Sequence, residues 1–501
     1  MSRFRKVSVV SLSLAIQTIF GAIFYILIAR LLPATEVGAL TLFLSFEAIF
    51  ATAFSLNFDT GFVHFISYLK GKTGRDMVPM FFYLLSILMT SLSLVVIVTF
   101  SKPMAVIFFH SSTYQSLVIM MGIYVAETIC LGFYVSILQG MQMFEWAALS
   151  NVAYSSLSLG LPTIFSALGY DFKMISLGFV MGGATSLILS TVIVFLSKKS
   201  PETSHLRPKT FLSYTTPIFF GSLFTTLMST VDRVILPALT NLTITALYIY
   251  SLTIATIVTA VSAPFTFFIL PKISEYYGNE KSTGIIKFGL SSMELYCFIA
   301  FPASLGGAIL AQPLLAILVG GIYEAHFRIL QIMFISYSLF SMRPILSSIL
   351  LGFRQTKIFI ISGLFAFMGN LILSILLIPT YGIYGAVIAV ASGWVLSTVP
   401  RIYAVKRMTG KVMSVEPYLK MWINAGLMAL IVLVAQYFTG TGSLRLVLLI
   451  ILGLAVYLII SRFNSPLSYF TQELILEIVP KTHRKFLLLI RFLIGVHDQV
   501  N

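Results

Sequence analysis

Across residues 79–100 the chain reads PMFFYLLSILMTSLSLVVIVTF, with no Asp, Glu, Lys, Arg or His. A helix needs about 20 consecutive apolar residues to cross the hydrocarbon of a bilayer. This stretch has that length, and its apolar residues do not alternate with polar ones as those of a membrane strand would. It reads as a spanning helix. Working outward, the expected spans are 7–32, 36–57, 79–100, 114–138, 146–168, 174–196, 211–235, 243–268, 284–310, 326–351, 356–378, 383–404, 418–438 and 443–461. That is roughly fourteen helices, each long enough to cross. Segments 103–110 and 312–321 are too short and read as surface turns. The stretch 465–501 sets Leu474, Ile475 and Ile478 beside Lys481, Arg484 and Lys485, a mixture that suits one or two interfacial helices.

Composition agrees. Of 501 residues 58% are hydrophobic and only 10% charged, against about 25% charged in an ordinary soluble protein. No connection is long enough to fold into an extramembrane domain. The net charge of +15 comes with no nucleic-acid-binding motif and is read as an orientation signal. With the N-terminus in the cytoplasm, most of the 32 Lys and Arg residues fall in inside loops, from Arg3, Arg5 and Lys6 to Arg462, Lys481 and Arg484. Arg30, Lys102, Lys173, Arg233, Arg328, Arg343 and Arg445 fall elsewhere. A miscounted span would scramble that bias downstream, so its persistence favours an even number of spans in a cell membrane, with both termini inside. The first apolar run is too long for a signal h-region and lacks a small-residue cleavage site after it. Cys130 and Cys297 both sit in apolar runs, which argues against a disulfide framework.

An internal echo suggests a repeat. Leu31-Leu32-Pro33 precedes Glu36-Val37-Gly38 where the first two spans join, and Ile235-Leu236-Pro237 precedes Ile244-Thr245-Ala246 at a later join. Each reads as a helix end, a proline stop and a new start. Such turns also recur by chance. An even number of spans precedes the polar stretch Lys198–Lys209, so the span after it starts on the same side as the first. A repeat would then relate two lobes by an axis along the membrane normal. The expected organisation is an N-terminal lobe (1–197), a cytoplasmic linker (198–210), a C-terminal lobe (211–409), two further spans (410–462) and a cytoplasmic interfacial tail (463–501).

Three stretches carry a family resemblance. One is Ala29-Arg30-Leu31-Leu32-Pro33 with Glu36-Val37-Gly38. Another is Asp232-Arg233-Val234-Ile235-Leu236, running on through Leu247-Tyr248 to Leu270-Pro271-Lys272-Ile273-Ser274-Glu275. The last is Leu377-Ile378-Pro379-Thr380-Tyr381-Gly382-Ile383-Tyr384-Gly385-Ala386. In these the chain resembles the multidrug/oligosaccharidyl-lipid/polysaccharide exporter superfamily over nearly its whole length, and within it the Wzx-like polysaccharide flippase branch. The resemblance implies an all-α polytopic membrane protein, two six-helix lobes plus two C-terminal helices around a central cavity. It also implies movement of a polyprenyl- or dolichyl-linked glycan from the inner to the outer leaflet by alternating access. No stretch matches the basic cavity pattern of the lipid II flippase branch or the acidic site of the drug antiporter branch.

Charged side chains at bilayer depth cost roughly 2.5–3.5 kcal/mol on insertion scales and so point to partners or cavities. Glu47 and Glu127 lie midway along their spans and are candidates for coupling to H+ or Na+. Gln17 is at a depth similar to Glu47 and is its expected partner; the alternative is an interhelical hydrogen bond with no transport role. Glu294 and Arg343 are alike in depth and opposite in sign, which suggests a buried pair. Arg343 is also the sharper candidate for a phosphate ligand, because its planar fork stays charged. Asp59 and His64 are expected near the inner end of the second span. Asp232 and Arg233 read as a helix-end pair or a gating contact. Arg30 either snorkels or receives the diphosphate after transfer. Thr253, Thr256 and Thr259 form a stripe that either lines a cavity and hydrogen-bonds sugars or bonds its own backbone, and Gln17 is counted with Thr253, Thr256, Arg30 and Arg343 as a substrate-binding candidate. Pro217, Pro264, Pro302 and Pro344 interrupt spans, with a bend expected at Pro264.

No Walker motif is present, so ATP hydrolysis by this chain is not expected. The six histidines are scattered, and no metal or cofactor set is apparent. The remaining alternatives to a flippase are an ion-coupled drug or small-molecule antiporter and a membrane-embedded glycan enzyme.

Overall fold

The protein is described from a computed structural model, over residues 13, 16–17, 20–21, 23–73, 78–196, 201–202, 208–260, 282–320, 324–353, 355–409, 414–439, 442–468 and 471–472. Most of the linker, the bend expected at Pro264, the Leu270–Glu275 motif stretch and the tail beyond 472 lie outside these residues.

The first half of the described chain runs through α1 (23–31), α2 (Ala34–Ser55), α3 (Phe58–Thr73), α4 (Met80–Thr99), α5 (Ser101–Phe109), α6 (Gln115–Gly140), α7 (Phe144–Ala167), α8 (Phe172–Leu196), α9 (Pro208–Leu239) and α10 (Leu242–Ala260). It continues with α11 (Ser282–Ile309), α12 (Ala311–Leu318), α13 (Phe327–Phe340), α14 (Arg343–Gly352), α15 (Thr356–Tyr381), α16 (Ile383–Thr409), α17 (Glu416–Thr439) and α18 (Ser443–Asn464). Residues 78–79 and 201–202 form a two-residue parallel bridge. Eleven described helices, counting α13 with α14 as one, are long and apolar enough to cross a membrane, and each coincides with an expected span. Of the other three spans, 7–32 and 243–268 are only partly described. The third is α7, a 24-residue helix whose serines and Asn151 dilute its apolar character.

The helices are inside out by the standard of a soluble protein. On α4, Ser86 and Ser93 are buried while Leu84, Ile87, Leu88 and Val95 are exposed, as expected when the solvent is hydrocarbon. Two compact units form: residues 1–250 with 367–390, and residues 251–366 with 391–501. In the first, α6 is flanked by α2, α3, α4, α5 and α8, α2 lies along α9, and α7 lies along α8. Gly178 and Gly182, four residues apart and both buried, sit directly against the α7 backbone at Pro162 and at Leu157–Ser158. A Cβ on Gly182 would stand 2.4 Å from the Leu157 carbonyl oxygen. In the second unit α11 packs on α13 and α17, and α17 on α18.

Several expectations are corrected. Segments 103–110 and 312–321 fold as the short helices α5 and α12 rather than turns, since an apolar run too short to cross still satisfies its backbone best as helix. The helix expected through 57 breaks and restarts, so Asp59 and His64 belong to α3 rather than to the end of α2. At the break Leu56 and Asn57 have φ of 47° and 54°. Pro237 does not stop its helix as Pro33 does; α9 continues to Leu239, and the Pro237 carbonyl contacts His110 Nε2 at 3.1 Å. The span 326–351 splits into α13 and α14 next to Pro344.

Asn57 is the residue that makes the break affordable, because Asn tolerates the left-handed region and its side chain bonds locally. Its amide donates to Thr60 Oγ1 at 2.8 Å and accepts from Ser222 Oγ at 3.0 Å. Asn57→Val should therefore lower stability by about 1–2 kcal/mol through its backbone alone, more than Asn57→Gly; thermal unfolding in detergent compares the two.

Candidate functional site

In the first unit polar groups converge on the middle of α2. Glu47 faces the Thr128 hydroxyl of α6. Thr128 Oγ1 is 2.9 Å from the Tyr124 carbonyl oxygen and 2.7 Å from the Tyr154 hydroxyl of α7. The Tyr124 and Tyr154 rings stack at 6.0 Å, and their hydroxyls are neighbours. Tyr25 of α1 lies within electrostatic reach of both Glu47 and Arg233. The expected Gln17 partner is not brought to Glu47; its amide donates to Ser13 O, one turn back on its own helix, at 3.1 Å.

Glu127 is next to Thr128 in sequence, so it leaves α6 on a different side. Its Oε2 is buried without a hydrogen-bond partner and lies against Gly183 of α8. Thr128 also lines a cavity of about 230 Å³ with Thr52, Ser55, Asn57, Asp59 and Ser222. Helices α2 and α9 are tied beside it by a 3.2 Å bond between Thr52 and Thr226.

Asp232 is not at a helix end, since α9 runs seven residues further. It is fully buried, accepts from the Tyr248 hydroxyl, and has Asn370 beside it. Asn370 donates to Met228 O at 3.1 Å and accepts from Ser374 at 3.2 Å. The Nε of neighbouring Arg233 is buried and unbonded. Arg30 is exposed at the end of α1.

In the second unit Glu294 anchors the chain that follows α18: its Oε2 accepts from Ser468 N at 3.0 Å and from Thr471 Oγ1 at 2.5 Å. Arg343 lies elsewhere, at the start of α14, with Tyr296, Tyr337 and Arg401 as electrostatic neighbours. Arg401 is 4% exposed, in mid-α16. Its Nε donates to Ser362 at 2.9 Å, its Nη1 donates to Ser347 at 2.7 Å, and its fork lies 5.1 Å from the centre of the Phe359 ring. Two of its five N–H groups are thus committed, both to neutral serines. By sequence Arg401 counts with the cations of an inside loop because it lies three residues from the expected span end at 404; the helix continues to Thr409, and Ser347 and Ser362 on neighbouring helices are the signal that the count overlooks. Thr253 and Thr256 are half-buried on α10, and Thr256 bonds the Thr253 carbonyl at 2.7 Å.

The same unit carries an apolar groove of about 460 Å³ between the core helices and α17 and α18, lined by Phe298, Gly306, Phe334, Met428, Gly453 and Tyr457 among others. Among the described residues no cluster of His, Cys, Asp or Glu has the makings of a metal site.

Solved structures share this fold at low identity. A lipid II flippase, MurJ, in an inward closed conformation superposes with a TM-score of 0.70 at 16% identity, over 91% of this chain and 98% of that one. An inward-facing multidrug resistance MATE family transporter gives 0.66 at 15% identity, over 81% and 99%. A transporter of the same superfamily from Pyrococcus furiosus, described as having a binding pocket of reversed polarity, gives 0.58 at 14% identity, over 82% and 96%. No curated protein matches by sequence. The model of the polysaccharide biosynthesis protein family matches residues 4–277. With a polytopic helical fold shared with membrane transporters and more than half its length matched, the chain belongs to the polysaccharide biosynthesis protein family.

Proposed function

We propose that this protein moves a lipid-linked glycan, carried on a polyprenyl or dolichyl phosphate, across the cell membrane by alternating access. The observation that carries this reading is the pair of neighbouring guanidinium groups, the buried Arg401 and the half-buried Arg343, in a unit otherwise built of apolar helices. A buried charge needs a compensating group, and the fork of arginine matches phosphate oxygens in a bidentate way. The apolar groove of the same unit suits the hydrocarbon of the carrier. The working halves are the lobes 1–197 and 211–409, joined by the linker 198–210, with both termini cytoplasmic. Glu47 and Glu127, and the partly unbonded Asp232, are the carboxylates that suit coupling to H+ or Na+.

The test is reconstitution in liposomes with a fluorescent lipid-linked oligosaccharide, scoring transfer between leaflets. Arg343→Ala should lower the transfer rate by roughly tenfold or more, the size of a hydrogen bond to a charged group. Undiminished transfer by folded Arg343→Ala protein removes it from the site. The second reading, a small-molecule antiporter, is favoured by the carboxylates of the first unit; cation-driven efflux of an organic cation with no movement of the glycan would select it.

A further inference from the structure

The hollow beside α2 has an unbalanced set of hydrogen-bonding groups. Thr52, Ser55, Asn57, Asp59 and Ser222 line it, all half-buried. A hydroxyl has one hydrogen and two lone pairs, and here every one of those hydrogens is already committed. Thr52 donates to Ala48 O at 2.8 Å, Ser55 to Thr52 O at 3.3 Å and Ser222 to Asn57 Oδ1 at 3.0 Å. Thr52 also accepts from Thr226, and Ser55 from the Asn57 backbone N–H at 3.4 Å, which leaves each with one lone pair. Ser222 keeps two and Asn57 Oδ1 keeps one. Asp59 Oδ1 has no hydrogen-bond partner among the described residues. The Asn57 amide gives one hydrogen to Thr60 Oγ1 at 2.8 Å, so its other hydrogen is the single side-chain donor left. Thr128 adds nothing, because the Tyr124 carbonyl and the Tyr154 hydroxyl already engage it. The oxygens of five side chains thus face one donor.

A ligand that fits must bring hydrogens, and size narrows the choice. A single dehydrated cation would suit such oxygens. The cavity of about 230 Å³, however, has room for roughly seven waters at about 30 Å³ each, and one ion would leave most of it vacant. A pyranose ring is of that scale and carries a hydrogen on each hydroxyl. A carboxylate on the ring would add only acceptors, and it would meet Asp59, the one ionisable side chain among the described lining residues, as a like charge. We propose that the hollow is a sugar subsite, which takes one neutral or amino-bearing ring of the glycan and excludes rings that carry a carboxylate. The assignment depends on the proposed movement of a glycan for its ligand, but its first test needs no transport.

That test is saturation-transfer difference NMR of the full chain in nanodiscs, with methyl glucoside, methyl glucosaminide and methyl glucuronide as probes. The first two should give signals and the glucuronide none. Gly132 of α6 lines the hollow, and a Cβ added there meets nothing within 4 Å, so Gly132→Leu should fill the space and abolish the signals. Asp59→Asn exchanges an unbonded carboxylate oxygen for N–H donors and should let the glucuronide bind roughly tenfold more tightly, the scale of a hydrogen bond to a charged group. Equal signals from all three probes, or signals that persist in folded Gly132→Leu protein, overturn the proposal. So does a protein that holds none of the three; a sodium resonance broadened by wild type and restored by Asp59→Asn would then mark a cation site instead. The second test is leaflet transfer of the fluorescent lipid-linked oligosaccharide. If the probes bind as expected but no oligosaccharide crosses, the subsite stands and the transport reading fails. If it crosses undiminished in Gly132→Leu, the transport reading stands and the subsite fails.

Discussion

Replacing Arg401 with Ala is expected to lower the rate of leaflet transfer by roughly a hundredfold, the scale of truncating one member of a buried charge pair. The fold should survive. The two serines that Arg401 holds do not become orphans, because Ser347 already donates to Arg343 O at 2.8 Å and Ser362 to Phe359 O at 3.0 Å. Removing a buried cation that among the described residues makes no ion pair is neutral or favourable to stability. Arg401→Lys should be nearly as damaging to transfer as Arg401→Ala, since an ammonium cannot span Ser347 and Ser362 while presenting a planar fork. The measurement is the initial transfer rate beside thermal unfolding of the same preparations. Transfer within threefold of wild type in folded Arg401→Ala protein would exclude a phosphate role; the threshold is about half the free energy of a tenfold change.

Gly182→Val should abolish monodisperse folded protein. Helices in lipid gain little from apolar burial and depend on close contact. Here α8 lies against α7 so tightly that a Cβ on Gly182 would fall 2.4 Å from the Leu157 carbonyl oxygen and 2.5 Å from the Ser158 Cα. Both are backbone atoms and cannot turn aside. Overpacking a core costs about 1–3 kcal/mol where side chains can adjust, and here the helices must part. Even Gly182→Ala should lower the unfolding temperature clearly. Gly160 on α7 has open space where its Cβ would be, so Gly160→Ala is the matched control. Size-exclusion profiles and unfolding temperatures of the three variants decide the matter. Tolerance of Gly182→Val would mean that the α7–α8 contact does not hold the fold.

How far the sequence could be read depended on scale. Span position follows from a property summed over some twenty residues, so runs such as 79–100 were legible, and eleven of the spans reappear as crossing helices. The break at Leu56–Asn57 was not, because the apolar pattern continues through it and only two backbone angles change. The presence of Glu47 at depth was legible. Its partner was not: Gln17 has the right depth, whereas Thr128 has the right azimuth, and azimuth is fixed by how α6 packs on α2. Arg401 escaped because counting loop cations discards any arginine near a span end, and α16 extends to Thr409. Glu294 and Arg343 share a depth, but that gives no lateral separation, and Glu294 instead secures Ser468 and Thr471.

The interruption between α2 and α3 has a consequence for the interior of the first unit. A helix that stops in oil strands carbonyl groups that have lost their amide partners, and irregular backbone at such depth persists only where protein or a hydrated space meets those groups. Here the kink borders a hollow furnished with Thr52, Asn57, Asp59 and Ser222. The bend in the main chain and the polar side chains beside it therefore belong to one feature, and a substitution that straightened the helix would take away the reason for both.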